Sequence, residues 1–179
     1  MHDIFPYDED GRIILKDIYP VYECNSMCGC DKNCRNKILQ NGVKVKLEIF
    51  ETEKKGLSVR VGEAISRGTF VCEYIGEVLN DQEATKRYDK EGCSYLYHIN
   101  SHIDVMSELV EGGTVSHVID TTRCGNGSRF INHNFSPNLV TYQVLVDNMD
   151  SQLAHIGLYA NHILITYLER NCLQCVNRN

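Results

Sequence analysis

The chain has 179 residues, 42% of them hydrophobic, and a formal net charge of −6, values typical of a soluble globular protein with one cored domain. No apolar run approaches the length of a membrane span, and the acidic N-terminus lacks the basic and apolar regions of a signal peptide, so we expect neither membrane insertion nor secretion. No basic stripe is present, which argues against direct sequence-specific binding of nucleic acid. The net negative charge would favour association with a basic partner, or it would serve only to keep the protein soluble.

Cysteine is concentrated near the N-terminus. Of the nine cysteines, four stand at C-x3-C-x-C-x3-C spacing, namely Cys24, Cys28, Cys30 and Cys34. Without a secretory signal, clustered thiols indicate metal ligation before disulfides. The single residue between Cys28 and Cys30 makes a simple four-thiolate cage awkward, so the spacing favours zinc ions that share bridging sulfurs. Free structural cysteines are the alternative.

The first half of the chain is predicted to be a partly ordered leader followed by strands. Residues 12–15 are a possible short strand in the leader. Strict alternation of apolar and polar residues predicts strands over 43–50 and 69–79, and a further strand begins after the turn at Gly56 and covers 57–61.

The second half is predicted to contain one helix and several short strands. Asn80-Asp81 can cap a helix from Gln82 to Lys90, a segment of good helix formers with few β-branched residues. Four short strands are predicted at 95–99, 117–120, 140–146 and 155–160. Many short strands, one helix and frequent glycine turns predict a mainly β single domain.

Residues 129–138 fit neither a helix nor a strand. The segment Arg-Phe-Ile-Asn-His-Asn-Phe-Ser-Pro-Asn places dense polar groups between apolar stretches and is interrupted by a Pro-Asn pair. This composition indicates a bent backbone that presents hydrogen-bond donors and acceptors to a binding partner. An ordinary turn between two strands is the alternative.

Three further segments, taken with 129–138, resemble the SET-domain lysine methyltransferases. Residues 55–60 resemble the family's K-G-W-G-[LV]-R element, 74–78 its Y-x-G-E-[VI] strand, and 129–138 its R-F-[IFM]-N-H-S-C-x-P-N motif. Residues 24–34 resemble the second half of the pre-SET zinc cluster. The four occur in the family's order, and the pre-SET half indicates the suppressor-of-variegation class, with the plant related members most similar.

The resemblance implies a SET-domain fold, a set of small curled sheets with a pseudoknot, preceded by a partial pre-SET zinc-binding segment. In the pseudoknot the Asn132-His133 segment threads a loop closed by the C-terminal part of the domain. The predicted divisions are a leader with partial pre-SET at 1–41, the SET domain at 42–168, and a remnant or replaced post-SET tail at 169–179.

The implied activity is methyl transfer from S-adenosylmethionine to a lysine of histone H3, the lysine-nine mark, with the H3 tail and chromatin as partners in the nucleus. Free lysine has a pKa of about 10.4, so the site must favour the neutral amine. A narrow aromatic channel does so by desolvating the ammonium. The residues that the resemblance assigns to this channel are Tyr74, Tyr97 and Tyr159, with Tyr167 tuning the number of methyls added.

The resemblance also implies a cofactor site. Gly56, Leu57 and Ser58 would line the cofactor with backbone groups, and Tyr95 would pack against it. Asn132 and His133 would hold its adenine and amino-acid ends, in a motif that begins with Arg129.

The chain departs from the family pattern at several of these positions. Leu57 replaces a tryptophan and Ser58 a glycine that allows close backbone approach, so we expect weakened cofactor binding. Phe135 replaces a cysteine that joins three post-SET cysteines on one zinc. Since only Cys172 and Cys175 lie downstream, we predict that no post-SET zinc forms.

The C-terminus departs most. If Ile165-Thr166-Tyr167 is matched to the family's Leu-Thr-[FY], Leu168 replaces an aspartate and Glu169 an essential tyrosine. The first five cysteines of the pre-SET cluster are also missing. Three hypotheses follow: a methyltransferase with little or no transfer, a non-catalytic chromatin-associated SET module that binds cofactor or histone tail, and a structural cysteine-rich zinc protein.

Overall fold

The fold is mainly β, as predicted. The computed structural model describes residues 5–16, 19–53, 55–91, 96–99, 117–146, 154–165 and 172–175. Within these ranges there are eleven strands, one α-helix and one 3₁₀ helix. None of the described helices has the length and apolar character needed to cross a membrane.

The elements follow one another closely along the chain. The strands are β1 Val21–Tyr22, β2 Leu47–Thr52, β3 Gly56–Val61, β4 Phe70–Glu73, β5 Gly76–Asn80, β6 Leu96–Ile99, β7 His117–Gly125, β8 Asn132–His133, β9 Leu139–Leu145, β10 His155–Ala160 and β11 Gln174–Cys175. The α-helix, α1, is Asp81–Glu91, and the 3₁₀ helix is Gly127–Phe130.

These strands form four small sheets. One has the strand order β1-β9-β10-β4 and another the order β5-β7-β6. The β2–β3 hairpin and the parallel pair β8–β11 are two-stranded. The predicted set of small sheets is therefore confirmed. The possible strand at 12–15 is reduced to an isolated bridge between Tyr7 and Ile13.

The predicted strand over 69–79 is wrong as a single element, because the chain changes sheets within it. β4 pairs with β10, whereas β5 pairs with β7. Gly76 lies at the change, where a Cβ would stand 2.5 Å from the carbonyl oxygen of Asp120. The missing side chain therefore allows the chain to cross tightly onto β7.

Helix α1 begins where the sequence predicted. The Asn80 side chain accepts a hydrogen bond from the backbone N–H of Glu83 at 2.9 Å, which caps the first turn. Farther along, Arg87 forms ion pairs with Glu77 at 2.6 Å and with the fully buried Asp120 at 2.8 Å. The guanidinium thereby fastens the helix to β5 and β7.

Three buried clusters fill the interior of the described residues, and the smallest packs α1 against β5 and β7. The largest lies among β3, β4, β6, β7 and β10 and includes Val59, Val71, Tyr74, Tyr97 and Leu158. The second joins the leader to the four-stranded sheet and includes Tyr7, Val21, Phe70, Tyr142 and Tyr159. The N-terminal segment is thus part of the core packing.

Loss of the Arg87 guanidinium should destabilise the fold, because Asp120 would keep a buried charge without its cationic partner. We expect Arg87→Ala to lower the free energy of unfolding by about 2 kcal/mol in denaturant titration. Arg12→Ala, which breaks the exposed Arg12–Asp10 pair, is the control and should change it by less than about 0.5 kcal/mol. Equal effects of the two variants would contradict the assigned role.

Candidate functional site

The polar segment at 129–138 is anchored at its start by Asn126, a residue that the sequence analysis missed. The Asn126 side-chain oxygen accepts from the backbone N–H of Ser128 at 3.2 Å and caps the 3₁₀ helix. Its amide nitrogen donates to the carbonyl of Glu73 at 2.9 Å. One side chain therefore fixes the segment to the end of β4. An asparagine directly before Gly-Ser is a capping signal that could have pointed to it.

Past the 3₁₀ helix, the segment is held by the C-terminal residues. The backbone N–H of Asn132 donates to the carbonyl of Leu173 at 3.3 Å. The Asn138 amide donates to the carbonyl of Cys172 at 2.8 Å and accepts from the backbone N–H of Gln174 at 2.7 Å. Backbone and side chain together make this parallel contact specific in register.

The same C-terminal residues also contact β3. The backbone N–H of Leu173 donates to the carbonyl of Val59 at 2.7 Å, and Cys172 forms an isolated bridge with Arg60. Residues 172–175 therefore lie between β3 and β8. This is where the predicted pseudoknot requires the C-terminal part of the domain.

The C-terminal residues that pair with Asn132-His133 lie after the segment that was matched to the family's Leu-Thr-[FY]. In the described part of the chain, the strand beside Asn132-His133 is formed by residues of the segment 172–175. Leu164, just before the proposed match, instead pairs with Ile65. Tyr167 lies outside the described residues, and the described strand at 172–175 contains no tyrosine.

The predicted cofactor residues of β3 lie beside Asn132. Ser58 is fully buried, and its hydroxyl accepts a 2.8 Å hydrogen bond from the Asn132 amide. Gly56 has φ +67°, a conformation that favours glycine, and open space surrounds the position of its missing Cβ. Leu57 leaves about half of its side chain exposed. The serine expected to crowd the site instead orients Asn132.

The other predicted cofactor residues are placed differently. His133 is exposed, and its ring meets that of Phe135 edge-on at 5.1 Å between centroids. Arg129 points back to the protein, where its guanidinium donates to the carbonyl of Thr122 at 3.4 Å. Tyr95 lies outside the described residues.

Two of the predicted channel tyrosines are neighbours. The rings of Tyr74 and Tyr97 are 5.3 Å apart between centroids, and both side chains are buried. The Tyr97 hydroxyl donates to Thr141 at 3.1 Å, and that of Tyr74 lies 3.4 Å from the Thr121 hydroxyl. Burial raises the pKa of Tyr74, so its hydroxyl stays protonated at neutral pH.

Tyr159 is not brought to this pair. It is fully buried in the second cluster, where its hydroxyl lies 2.9 Å from that of Tyr7. Tyr7 in turn donates to the buried carboxylate of Glu23 at 2.8 Å, which also accepts from the backbone N–H of Leu39 at 2.7 Å. Burial raises the pKa of both tyrosines. This network ties the leader to β10.

Three of the four clustered cysteines converge. The Sγ atoms of Cys24, Cys30 and Cys34 all lie within 4.8 Å of one another. Tetrahedral zinc with Zn–S bonds of about 2.3 Å holds its sulfurs about 3.8 Å apart. The Cys24 and Cys34 sulfurs are 3.9 Å apart, so their spacing fits a shared zinc ion. When bound there, zinc would cross-link the ends of this loop.

Cys28 does not join that mutual group. It is exposed, and its thiol donates to the Asn25 side chain at 3.4 Å. Partial burial and the neighbouring thiols raise the pKa of Cys24 to about 11, whereas a backbone hydrogen bond from Asn36 lowers that of Cys34. Ligation by Cys28 stays a prediction.

Residues 56–164 match the SET domain, and residues 1–37 match the Pre-SET motif. The chain therefore belongs to the SET-domain family. The expected family and the mainly β SET fold are both confirmed.

Its relatives include plant histone-lysine N-methyltransferases. SUVR5 of Arabidopsis thaliana is 56% identical over 160 residues, which are 88% of this chain and 12% of that protein. The H3 lysine-9 specific SUVH6 of the same plant is 38% identical over 171 residues, covering 87% of this chain and 21% of the relative. The chain thus spans only a small part of the relatives it matches.

Solved structures show the same fold with ligands bound. SUVH6 from Arabidopsis thaliana in complex with SAM has a TM-score of 0.80 and 37% identity, covering 98% of this chain and 35% of that one. KRYPTONITE in complex with mCHH DNA, an H3(1-15) peptide and SAH has a TM-score of 0.74 and 32% identity, covering 92% and 30%.

Zinc should cross-link the cysteine loop near the N-terminus, so removal of a ligand should lower both zinc content and thermal stability. We expect the purified chain to carry zinc stoichiometrically, and Cys34→Ser to lower both the zinc content and the thermal midpoint. Cys124→Ser, at an exposed thiol outside the cluster, should leave both unchanged. Substoichiometric zinc in the parent chain would count against the metal site.

Asn126 should contribute to stability through side-chain hydrogen bonds to two residues, Ser128 and Glu73. We expect Asn126→Ala, which removes these bonds, to lower the free energy of unfolding by about 2 kcal/mol in denaturant titration. Asn126→Asp keeps the acceptor for Ser128 and loses the donor to Glu73, so its effect should be intermediate. The assignment fails if the two variants are equally destabilised.

Proposed function

We propose that this chain binds S-adenosylmethionine and transfers its methyl group to a lysine of histone H3, the lysine-nine mark, on chromatin in the nucleus. The observation that carries the proposal is the meeting of three segments. Asn132 is bonded both to Ser58 of β3 and to Leu173 of the C-terminal segment. The SAM complex of SUVH6 and the H3 peptide complex of KRYPTONITE support this choice of cofactor and substrate.

The cofactor would be held by backbone groups around Gly56 and Leu57 and by the Asn132-His133 segment. Its sulfonium supplies an electrophilic methyl group, which the lysine amine takes with its lone pair. The products are the methylated lysine, S-adenosylhomocysteine and the proton that the ammonium loses. The residues that this chain contributes must therefore align two molecules and favour the neutral amine.

Tyr74 and Tyr97 would favour the neutral amine. Their adjacent buried rings present an apolar aromatic wall, which costs the ammonium its hydration and lowers the pKa of the amine. Each hydroxyl lies within hydrogen-bond reach of a threonine, Thr121 or Thr141, so the rings are fixed in orientation. Tyr159 is left out of this wall because its hydroxyl pairs with Tyr7.

We expect transfer to be slow. Leu57 lacks the stacking surface and the N–H of the family's tryptophan. The described C-terminal strand at 172–175 brings no tyrosine to Asn132-His133.

The test has two stages, because binding and transfer can fail separately. Calorimetry with S-adenosylmethionine should give a measurable heat, and radiolabelled methyl should then appear slowly on an H3 tail peptide. A peptide with arginine in place of lysine nine should take no label. Absence of any cofactor heat would refute the proposal.

A matched pair of variants tests the aromatic wall. Tyr97→Phe keeps the ring but loses the bond to Thr141, and we expect about a tenfold lower kcat with little change in cofactor affinity. Tyr22→Phe, at an exposed tyrosine of β1, is the control and should be neutral. Equal rates for the Tyr97 variant and the parent would exclude this role.

A second function is favoured by the same C-terminal strand. Without a tyrosine from 172–175, the chain would act as a non-catalytic SET module that binds cofactor or the histone tail. Heat on binding S-adenosylmethionine, together with no methyl label on the peptide even at high protein concentration, would support this second function. A structural cysteine-rich zinc protein would show neither heat nor label while retaining zinc.

A further inference from the structure

Phe135 is an unusually exposed aromatic residue for its position in the motif. Its relative exposure is 92%, a value that only Met27 equals among the large exposed apolar side chains of the described residues. It stands where the family motif has a cysteine, and a phenyl ring cannot ligate zinc. Leaving a side chain of this size in water forgoes the free energy of burying it, so a ligand that covers the ring would gain that free energy.

The turn that carries Phe135 is held on both sides. The backbone N–H of Asn134 donates to the carbonyl of Cys175 at 3.0 Å, and its side-chain oxygen accepts from the backbone N–H of Ser136 at 3.0 Å. The ring itself meets His133 edge-on at an interplanar angle of 84°. The ring is therefore positioned before any ligand arrives, while most of its surface remains in solvent.

We propose that Phe135 stacks on the adenine ring of bound S-adenosylmethionine and serves as an additional cofactor-binding residue. This inference rests on the proposed function. Adenine is the only aromatic part of that cofactor, and Phe135 contacts His133, one of the two residues proposed to hold the adenine and amino-acid ends. The half-exposed Leu57 precedes Ser58, which is bonded to Asn132, so a second apolar surface lies on the neighbouring strand.

Stacking on adenine would give the exposed aromatic side chain a favourable contact in the bound state. A phenyl face and a heteroaromatic face attract each other beyond simple area burial. The exposed ring would offset part of the binding lost with the tryptophan that Leu57 replaces. Cofactor affinity in this chain would then depend on a residue from the β8 turn.

Calorimetry on variants of the full chain distinguishes aromatic stacking on adenine from a hydrophobic contact that needs no aromatic ring. We expect Phe135→Ala to weaken S-adenosylmethionine binding about tenfold, or about 1.4 kcal/mol. Phe135→Leu keeps apolar area without a π-face and should be weakened nearly as much, whereas Phe135→Trp should bind at least as well as the parent. A leucine variant with full affinity would overturn stacking.

Fluorescence gives an independent readout, because the chain contains no tryptophan. In Phe135→Trp the single indole should be quenched or shifted when S-adenosylmethionine is added. Met27→Trp, at the equally exposed position in the cysteine loop, should show no change.

Failure of this inference differs from failure of the proposed function. If the parent chain binds cofactor and Phe135→Ala binds it equally well, the inference is wrong, while the proposed function stands. If the parent chain shows no cofactor heat, both are overturned.

Discussion

The contact between β8 and β11 is the constraint on which the candidate site depends. Two short segments, far apart in sequence, pair in parallel, and the Asn138 side chain bonds to the C-terminal backbone from both its oxygen and its nitrogen. Neither segment is long enough to be stable alone. Their pairing brings Leu173 against Val59 and so places the Asn132-His133 backbone beside β3. Without this pairing, the predicted cofactor residues of β3 and β8 would not be held next to each other in space.

A second polar contact joins the leader to the same framework. The buried Glu23 carboxylate accepts hydrogen bonds from the Tyr7 hydroxyl and the backbone N–H of Leu39, so donors compensate for the loss of its hydration. Tyr159 completes the network and fixes β10 against the leader. Tyr159, which the resemblance assigned to the lysine channel, connects two parts of the fold through this network.

The departures from the family motif have local structural consequences. Ser58 supplies a hydroxyl that a glycine could not, and that hydroxyl orients Asn132. Phe135 exchanges a metal ligand for an exposed ring held beside His133. Ser58 is hydrogen-bonded to Asn132 and Phe135 contacts His133, so both changes involve the Asn132-His133 pair. The proposed stacking rests on Phe135 and its contact with His133.

The sequence by itself determined the mainly β class, the Asn80 cap, the strand at 155–160 and the family, because alternation, capping chemistry and motifs are local signals. Spacing also predicted a cluster of four cysteines. The structure brings Cys24, Cys30 and Cys34 together, and the separate position of Cys28 was not predicted. Tertiary structure alone decided that residues 69–79 divide between two sheets, that Tyr159 packs with Tyr7, and that 172–175 lie beside Asn132. Each of these outcomes depends on which distant segment supplies the hydrogen-bond partner, and no local pattern encodes that choice.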